Sequence, residues 1–163
     1  DALPIYSFME TLISDIRAAL RKAAREDMIP VFRLNGTSDI RWETVQHNGA
    51  TILEMFPDVQ FYDYTKLPNR RGIPKNYHLV FSRADGNESY VQEALINGMN
   101  IAVVFDTKKG KDLPETWNQI PVVDGDETDL RFLDPKSVVV GLRAKGDGKK
   151  DTSGFVVITK KEA

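Results

Sequence analysis

The chain has 163 residues, of which 22 are Lys or Arg, 24 are Asp or Glu and none is Cys, and its formal net charge is -2. The absence of cysteine excludes disulfides, thiolate metal sites, iron–sulfur clusters and a cysteine nucleophile within this chain, and the near-neutral charge argues against a broad nucleic-acid-binding face. A chain of this length can bury a hydrophobic core, so we predict one domain over residues 1–163.

The first predicted element is a helix from about 7 to 27. Ser7 and Glu10 have the spacing of a capping box, which marks a helix start. Behind them, apolar residues recur at helical spacing at Leu12, Ile16, Leu20 and Ala23. Pro30 prevents the helix from continuing and precedes the first strand.

Apolar stretches bounded by turn residues predict strands at about 31–35, 59–65, 77–82, 100–105, 120–124, 138–142 and 155–158. Helices are predicted over 39–56, in two pieces broken at Asn48-Gly49, and over 87–97. This alternation indicates an α/β fold with a mostly parallel sheet. The last two strands are closely connected, which predicts a C-terminal antiparallel hairpin. Because a complete eight-stranded barrel usually needs about 200 residues or more, the alternatives are a partial barrel and an open doubly wound sheet.

Polar side chains lie near the carboxyl ends of the first three strands. Because side chains alternate between the two faces of a strand, each strand has one face carrying polar groups, and these are Arg33 and Asn35, Asp63 and Thr65, and His78 and Ser82. Ligands bind at the carboxyl ends of strands in parallel α/β folds, so we predict a ligand site there. Thr37 and Ser38 extend this set, since a glycine-containing turn into a helix N-terminus can hold an anion.

These residues also have structural explanations. Arg33 and Asp63 can form an ion pair between neighbouring strands, and a lone histidine such as His78 is more often a core residue than a ligand. Asn35-Gly36 is also the strongest sequence signal for a hairpin turn, although no alternating strand follows it.

An acidic cluster follows the strand at 120–124. Asp124, Asp126 and Asp129 offer the oxygen ligands that Mg²⁺ prefers, and the alternative is a solvated acidic turn. Near the C-terminus basic residues are spaced by glycines, at Arg143, Lys145, Lys149 and Lys150. They predict either phosphate contacts or a solvated loop.

Four segments carry a resemblance to a known family. They are Phe32–Ile40, Phe56–Lys66, Asn76–Arg83 and Asp124–Pro135. They resemble a family of phage- and plasmid-borne proteins, over about residues 7–158. The resemblance implies a partial α/β barrel of the radical-SAM kind with a cysteine-rich stretch upstream. Since this chain lacks cysteine, it is expected to be either the downstream portion of a longer protein or a relative without that chemistry.

Two functions follow as hypotheses. In the first, a phage or plasmid accessory domain binds a nucleotide or another phosphate-bearing small molecule at its strand ends, and whether it is an enzyme is left open. In the second, a non-catalytic accessory protein binds nucleic acid or a host protein through the loops 66–75 and 143–150. No apolar run approaches the roughly 20 residues of a membrane span, so we expect no membrane insertion and place the protein in the cytoplasm of a bacterial host.

Overall fold

The computed structural model describes residues 3–159, and the chain divides into two compact units. The first comprises Asp1–Tyr62 and Gly72–His78, and the second comprises Asp63–Arg71 and Leu79–Ala163. The prediction of a single domain stays a prediction.

The described helices are few and are α1 (Leu3–Arg25), α2 (Ile52–Met55) and α3 (Val91–Ile96). The strands are β1 (Val31–Arg33), β2 (Gln46–His47), β3 (Ala50–Thr51), β4 (Gln60–Thr65), β5 (Tyr77–Ser82), β6 (Asn100–Phe105), β7 (Thr116–Trp117), β8 (Ile120–Asp124), β9 (Val139–Arg143) and β10 (Val156–Val157). Short 3-10 turns cover Glu88–Tyr90, Arg131–Leu133 and Gly146–Lys150. Each predicted strand therefore has a counterpart in the structure.

The helix α1 begins one turn earlier than the predicted capping box. Ser7 lies inside the helix, where its carbonyl accepts a hydrogen bond from the Thr11 hydroxyl at 3.0 Å. The helix ends because Asp27 adopts a left-handed conformation (φ 53°) and the amide of Met28 donates to the Ala23 carbonyl.

The segment predicted as two helical pieces over 39–56 contains a hairpin and one short helix. Asn48 (φ 52°) and Gly49 (φ 84°) are both left-handed, which is the requirement of a two-residue hairpin turn, and they join β2 to β3. Thr51 then forms a capping box with Glu54 at the start of α2. The helical prediction for 39–51 was wrong because the Asn-Gly turn determines the local structure there. Asn35-Gly36, which has the same dipeptide, forms no hairpin.

In the first unit, β1 pairs in parallel with the start of β4, with Phe32 opposite Phe61 and Arg33 opposite Tyr62. The rings of Phe32 and Phe61 lie against each other, with their centroids 5.8 Å apart. The predicted adjacency of these two strands is confirmed.

In the second unit the strand order is β5-β6-β9-β8-β7, and β10 also pairs with β6. The pairs β5/β6, β6/β9, β8/β9 and β6/β10 are parallel, and only β7/β8 is antiparallel among those of this unit. The predicted α/β fold with a mostly parallel sheet is confirmed.

The antiparallel hairpin lies elsewhere than predicted. Asn118 (φ 48°) and Gln119 (φ 66°) form the left-handed turn between β7 and β8. The strands predicted to form the C-terminal hairpin, β9 and β10, instead each pair in parallel with β6. The intervening chain at 144–155 is long enough to bring β10 back alongside β6, so proximity in sequence did not produce a hairpin.

The sheet is open, and no closed barrel forms among the described strands. Strands of an α/β barrel follow one another in chain order, whereas here β9 lies between β6 and β8. The partial barrel implied by the resemblance is not confirmed, and the open sheet is the alternative that the strand order supports.

Both faces of the second unit's sheet are packed. Ile101, Val103 and Val139 on one face are fully buried, and on the other face Val80, Ala102 and Val140 form a cluster. None of the helices formed by the described residues is long and apolar enough to cross a membrane.

Candidate functional site

The loop after β1 is built around Asn35, which is 2% exposed. Its Oδ1 accepts hydrogen bonds from the Ser38 hydroxyl (2.9 Å), the Ile40 amide (3.1 Å) and Trp42 Nε1 (3.0 Å). Its Nδ2 donates to the Ile40 carbonyl at 3.0 Å. The amide group thus stabilises the loop, a structural role that the sequence analysis did not assign to it.

The other predicted ligand residues of the first unit differ in exposure. Arg33, Thr37 and Ser38 are exposed, and His78 is half-buried. Arg33 Nε donates to the Asn35 carbonyl at 3.2 Å. Among the predicted ligand residues, hydrogen bonds join Asn35 to Ser38 and to Arg33. Their binding of a ligand stays a prediction.

The remaining predicted ligand residues, Asp63, Thr65 and Ser82, belong to the second unit. Asp63 is 0% exposed and Thr65 is 2% exposed, so the face that the alternation marked as open to a ligand is interior. The Thr65 hydroxyl accepts a hydrogen bond from the Leu67 amide at 3.1 Å, which turns the chain after β4. Ser82 is half-buried, and its carbonyl accepts from Asn87 Nδ2 at 3.0 Å.

The acidic turn after β8 holds an arginine. Arg143, at the end of β9, donates from Nη1 and Nη2 to the two Asp124 carboxylate oxygens at 2.9 and 2.8 Å, and from Nη1 to Asp126 Oδ2 at 3.1 Å. Its Nε and Nη2 also donate to the Lys111 carbonyl at 3.1 and 2.8 Å. Such a bidentate fork is a strong, geometrically specific arrangement, and here it joins the ends of β8 and β9 to the loop after β6.

Asp126 connects this arrangement to a second cation. Its Oδ1 accepts from Lys145 Nζ at 2.8 Å, and its Oδ2 accepts from the Arg143 amide at 3.0 Å. The hydrogen bond from Arg143 holds the pKa of Asp124 below its usual range. For Asp126, partial burial raises the pKa, but the hydrogen bonds from Lys145 and Arg143 together lower it by more. The net effect is a lowered pKa. Both carboxylates are therefore ionised at neutral pH.

Of the predicted metal ligands Asp124, Asp126 and Asp129, the first two form ion pairs with basic side chains. Within residues 3–159, no group of three or more His, Asp or Glu side chains is arranged to hold a metal ion. Asp124 and Asp126 converge on the guanidinium of Arg143. The hydrogen bond with Asp126 raises the pKa of Lys145, and the charge of Asp129 raises it further. Mg²⁺ binding by these three residues stays a prediction.

Gly125 allows the turn to approach the sheet. A Cβ at this position would lie 2.5 Å from Val140 Cγ1, 2.8 Å from Arg131 Nη1 and 2.9 Å from Leu142 Cδ2. Arg131 is fully buried, donates to the Thr128 carbonyl and lies 3.5 Å from Asp134 Oδ2. The glycine is thus required by the side chains packed beneath it.

A cleft opens at the carboxyl ends of β6, β9 and β10. Its first lobe, the apolar lobe, has a volume of about 490 Å³. The lobe is lined by Asp106, Thr107, Lys108, Lys109, Ala144, Gly148, Lys149, Asp151, Val156 and Ile158. Its second lobe, the cationic lobe, has a volume of about 440 Å³ and includes Gly110, Asp126, Arg143, Lys145 and Gly146. Both lobes are lined by Lys109, Ala144 and Lys149, so they adjoin, and together we call them the lysine cleft.

The apolar lobe is lined by three lysines and two aspartates. Among the described residues, no carboxylate lies within salt-bridge distance of Lys108, Lys109 or Lys149. The two aspartates of the lobe accept hydrogen bonds from loop groups instead. Asp106 Oδ1 accepts from the Thr159 amide and hydroxyl at 2.8 and 2.6 Å, and Asp151 accepts from the Ser153 hydroxyl at 2.7 Å and the Val156 amide at 3.0 Å.

The sequence analysis identified Lys145 and Lys149 as phosphate candidates but missed Lys108 and Lys109. The available signal was their position, directly after the predicted strand 100–105.

One family model matches the sequence of the chain. The model for gene product 88 matches residues 4–158. No curated protein and no solved structure is similar enough to match. The match extends over nearly the whole chain, and it supports the phage origin that the resemblance implied. The chain therefore belongs to the gene product 88 family, a family of phage proteins.

Proposed function

We propose that the second unit binds a phosphate-bearing small molecule in the lysine cleft. The observation that carries this proposal is the convergence of Lys108, Lys109 and Lys149 on one cleft without a carboxylate partner. Cations outnumber carboxylates among the residues that line the apolar lobe, so a bound anion gains favourable Coulomb interactions there.

The position of the cleft supports the same proposal. In open parallel sheets, ligands bind at the carboxyl ends of the strands, next to the point where the strand order departs from the chain order. The lysine cleft lies at the carboxyl ends of β6 and β9, which are neighbours although β7 and β8 come between them in the chain. Its volume is within the range of about 300–1,000 Å³ that small-molecule sites have.

The ligand site predicted from the sequence differs from this cleft. None of its residues lines the lysine cleft, and ligand binding by them remains a prediction: Arg33, Asn35, Thr37, Ser38, Asp63, Thr65, His78 and Ser82. The cytoplasm of a bacterial host, where phage genes are expressed, is the proposed place of action. A plasmid association remains an expectation from the resemblance.

The test uses isothermal titration calorimetry with inorganic tripolyphosphate as the probe. The double variant Lys109→Gln, Lys149→Gln removes two cations from the cleft, and we expect its affinity to fall about tenfold or more, because hydrogen bonds to charged groups contribute about 1.5–3 kcal/mol each. The matched control is Lys75→Gln, Lys136→Gln, which removes the same charge from two exposed lysines outside the cleft.

The control double variant should bind tripolyphosphate nearly as well as the native protein. An equal loss in both double variants would mean that binding depends on net charge alone, and it would overturn the proposal. Absence of binding to the native protein at millimolar tripolyphosphate would do the same.

A further inference from the structure

The two lobes of the lysine cleft differ in chemistry. Val156 and Ile158 line only the apolar lobe, Arg143 and Lys145 line only the cationic lobe, and Ala144 lines both. Lys109 and Lys149 lie at the junction that both lobes share. A ligand that fills the cleft therefore has an apolar part and an anionic part, joined at the lysines.

The distribution of charge indicates where the anionic part lies. Arg143 is neutralised by Asp124 and Asp126, and Lys145 is paired with Asp126. The lysines without a carboxylate within salt-bridge distance are Lys108, in the apolar lobe, and Lys109 and Lys149, which line both lobes. Because Lys109 follows β6 and Lys149 follows β9, two separate segments of the chain offer a cation to both lobes, which suits a chain of phosphates better than a single one.

The residues of the apolar lobe indicate the chemistry of the other part of the ligand. Ile158 is 68% exposed although it lines the cleft, and Val156 beside it is buried. The exposed Ile158 and the buried Val156 beside it offer an apolar surface on which a flat, weakly polar group can replace water. A nucleobase has that shape and polarity, and a volume of about 490 Å³ accommodates a base with its sugar.

We infer that the ligand is a nucleoside di- or triphosphate, with its base in the apolar lobe against Ala144, Val156 and Ile158 and its phosphates at Lys109 and Lys149. This inference rests on the proposed function and specifies the ligand class of the same site. It adds a role for Ile158 and for Gly148, which lie outside the cationic groups.

The experiment compares ATP, GTP and inorganic tripolyphosphate by calorimetry in the native protein and two variants. Ile158→Ser removes apolar surface from an exposed position, where the fold does not depend on it. Gly148→Leu fills the apolar lobe: its backbone is not left-handed, and a Cβ there would lie 3.9 Å from the Ala144 Cβ, an ordinary contact distance. Thermal melting of each variant checks that it is folded.

The native protein should bind at least one of the two nucleotides about tenfold more tightly than tripolyphosphate. Ile158→Ser should weaken nucleotide binding by about threefold, as the loss of part of an apolar contact implies, and leave tripolyphosphate unaffected. Gly148→Leu should reduce nucleotide affinity to that of tripolyphosphate. These differential losses are not expected from a purely electrostatic site.

Equal affinity for nucleotides and tripolyphosphate, with no effect of either variant, would overturn the inference and leave the proposed function standing. Absence of binding by all three probes would overturn the proposed function itself. A ten-nucleotide oligothymidylate that binds more tightly than either nucleotide, with a steep dependence on salt, would identify the occupant as a nucleic-acid strand and also overturn the inference.

Discussion

A single polar side chain of this protein, Asn35, stabilises the loop that contains it. The amide of Asn35 accepts three hydrogen bonds and donates one within the segment 35–42. Asn35→Ala leaves the indole nitrogen of Trp42 and the amide of Ile40 without these acceptors. We expect a loss of about 2–4 kcal/mol in the free energy of unfolding, since each buried unsatisfied group costs about 1–3 kcal/mol.

The control for this prediction is Ser38→Ala, which removes one of the four hydrogen bonds at an exposed position. It should cost less than about 1 kcal/mol in urea unfolding. Equal effects of the two substitutions would contradict the central role of Asn35 in the loop.

Gly125 is required for a different reason, the close packing beneath it. In Gly125→Ala the new methyl group meets Val140, Arg131 and Leu142 at 2.5–2.9 Å. Overpacking of this kind costs about 1–3 kcal/mol, which thermal or urea unfolding measures directly. Gly36→Ala is the matched control, because a Cβ at Gly36 meets nothing within 4 Å, and its unfolding free energy should change by less than about 0.5 kcal/mol.

Among the elements of the second unit, the carboxyl ends of β8 and β9 are joined by Arg143. The variant Arg143→Met keeps the length of the side chain and removes the fork to Asp124, Asp126 and the Lys111 carbonyl. The loop that carries Lys108 and Lys109 then loses its attachment to β9. We expect a loss of about 1–2 kcal/mol at pH 7, reduced from the value for a buried pair because the side chains are partly exposed.

The pH dependence of this variant tests the same contact independently. Asp124 and Asp126 have lowered pKa values in the folded protein, whereas an aspartate in the unfolded chain has a pKa of about 3.9. Their contribution to stability is therefore complete above about pH 4 and is lost as the pH falls through the lower folded pKa values. The native protein should lose more stability than Arg143→Met between pH 6 and about pH 3 in urea unfolding. Parallel losses in the two proteins would show that the fork does not cause the lowered pKa values.

At the scale of the whole molecule, metal binding is measured as a change in the melting temperature, because a ligand that binds the folded state stabilises it. Mg²⁺ or Mn²⁺ at the acidic turn has to displace Arg143 from Asp124 and Asp126. Arg143→Gln removes this competitor, so its melting temperature should respond more strongly to millimolar Mn²⁺ than that of the native protein. A ligand at about 100 times its Kd stabilises by about 2.7 kcal/mol, which corresponds to about 5–10 °C for a chain of this size.

The control adds Asp124→Asn and Asp126→Asn to the Arg143→Gln variant, and it should abolish the response to Mn²⁺. If neither the native protein nor Arg143→Gln responds to Mn²⁺, the prediction of a metal site at Asp124, Asp126 and Asp129 is wrong.

The sequence alone determined the strands and the class of the fold. The apolar stretches at 77–82, 100–105 and 120–124 coincide with β5, β6 and β8, because a buried strand needs a short, continuous apolar run between turn residues. Their spacing predicted parallel pairing, which the structure has. The convergence of Asp124 and Asp126 was also predictable, since residues two apart after a strand remain close together.

The tertiary structure decided which groups these residues meet. Arg143 and Lys111 are far from Asp124 in sequence, and only the order β6-β9-β8 brings their groups into contact. For the same reason, Lys109 and Lys149 line the same pockets although the chain between them forms β7, β8 and β9. Local periodicity carries information about which residues are buried in an element, but it contains none about which elements become neighbours. That choice depends on the packing free energy of the whole sheet, and here it placed Arg143 between Asp124 and Asp126.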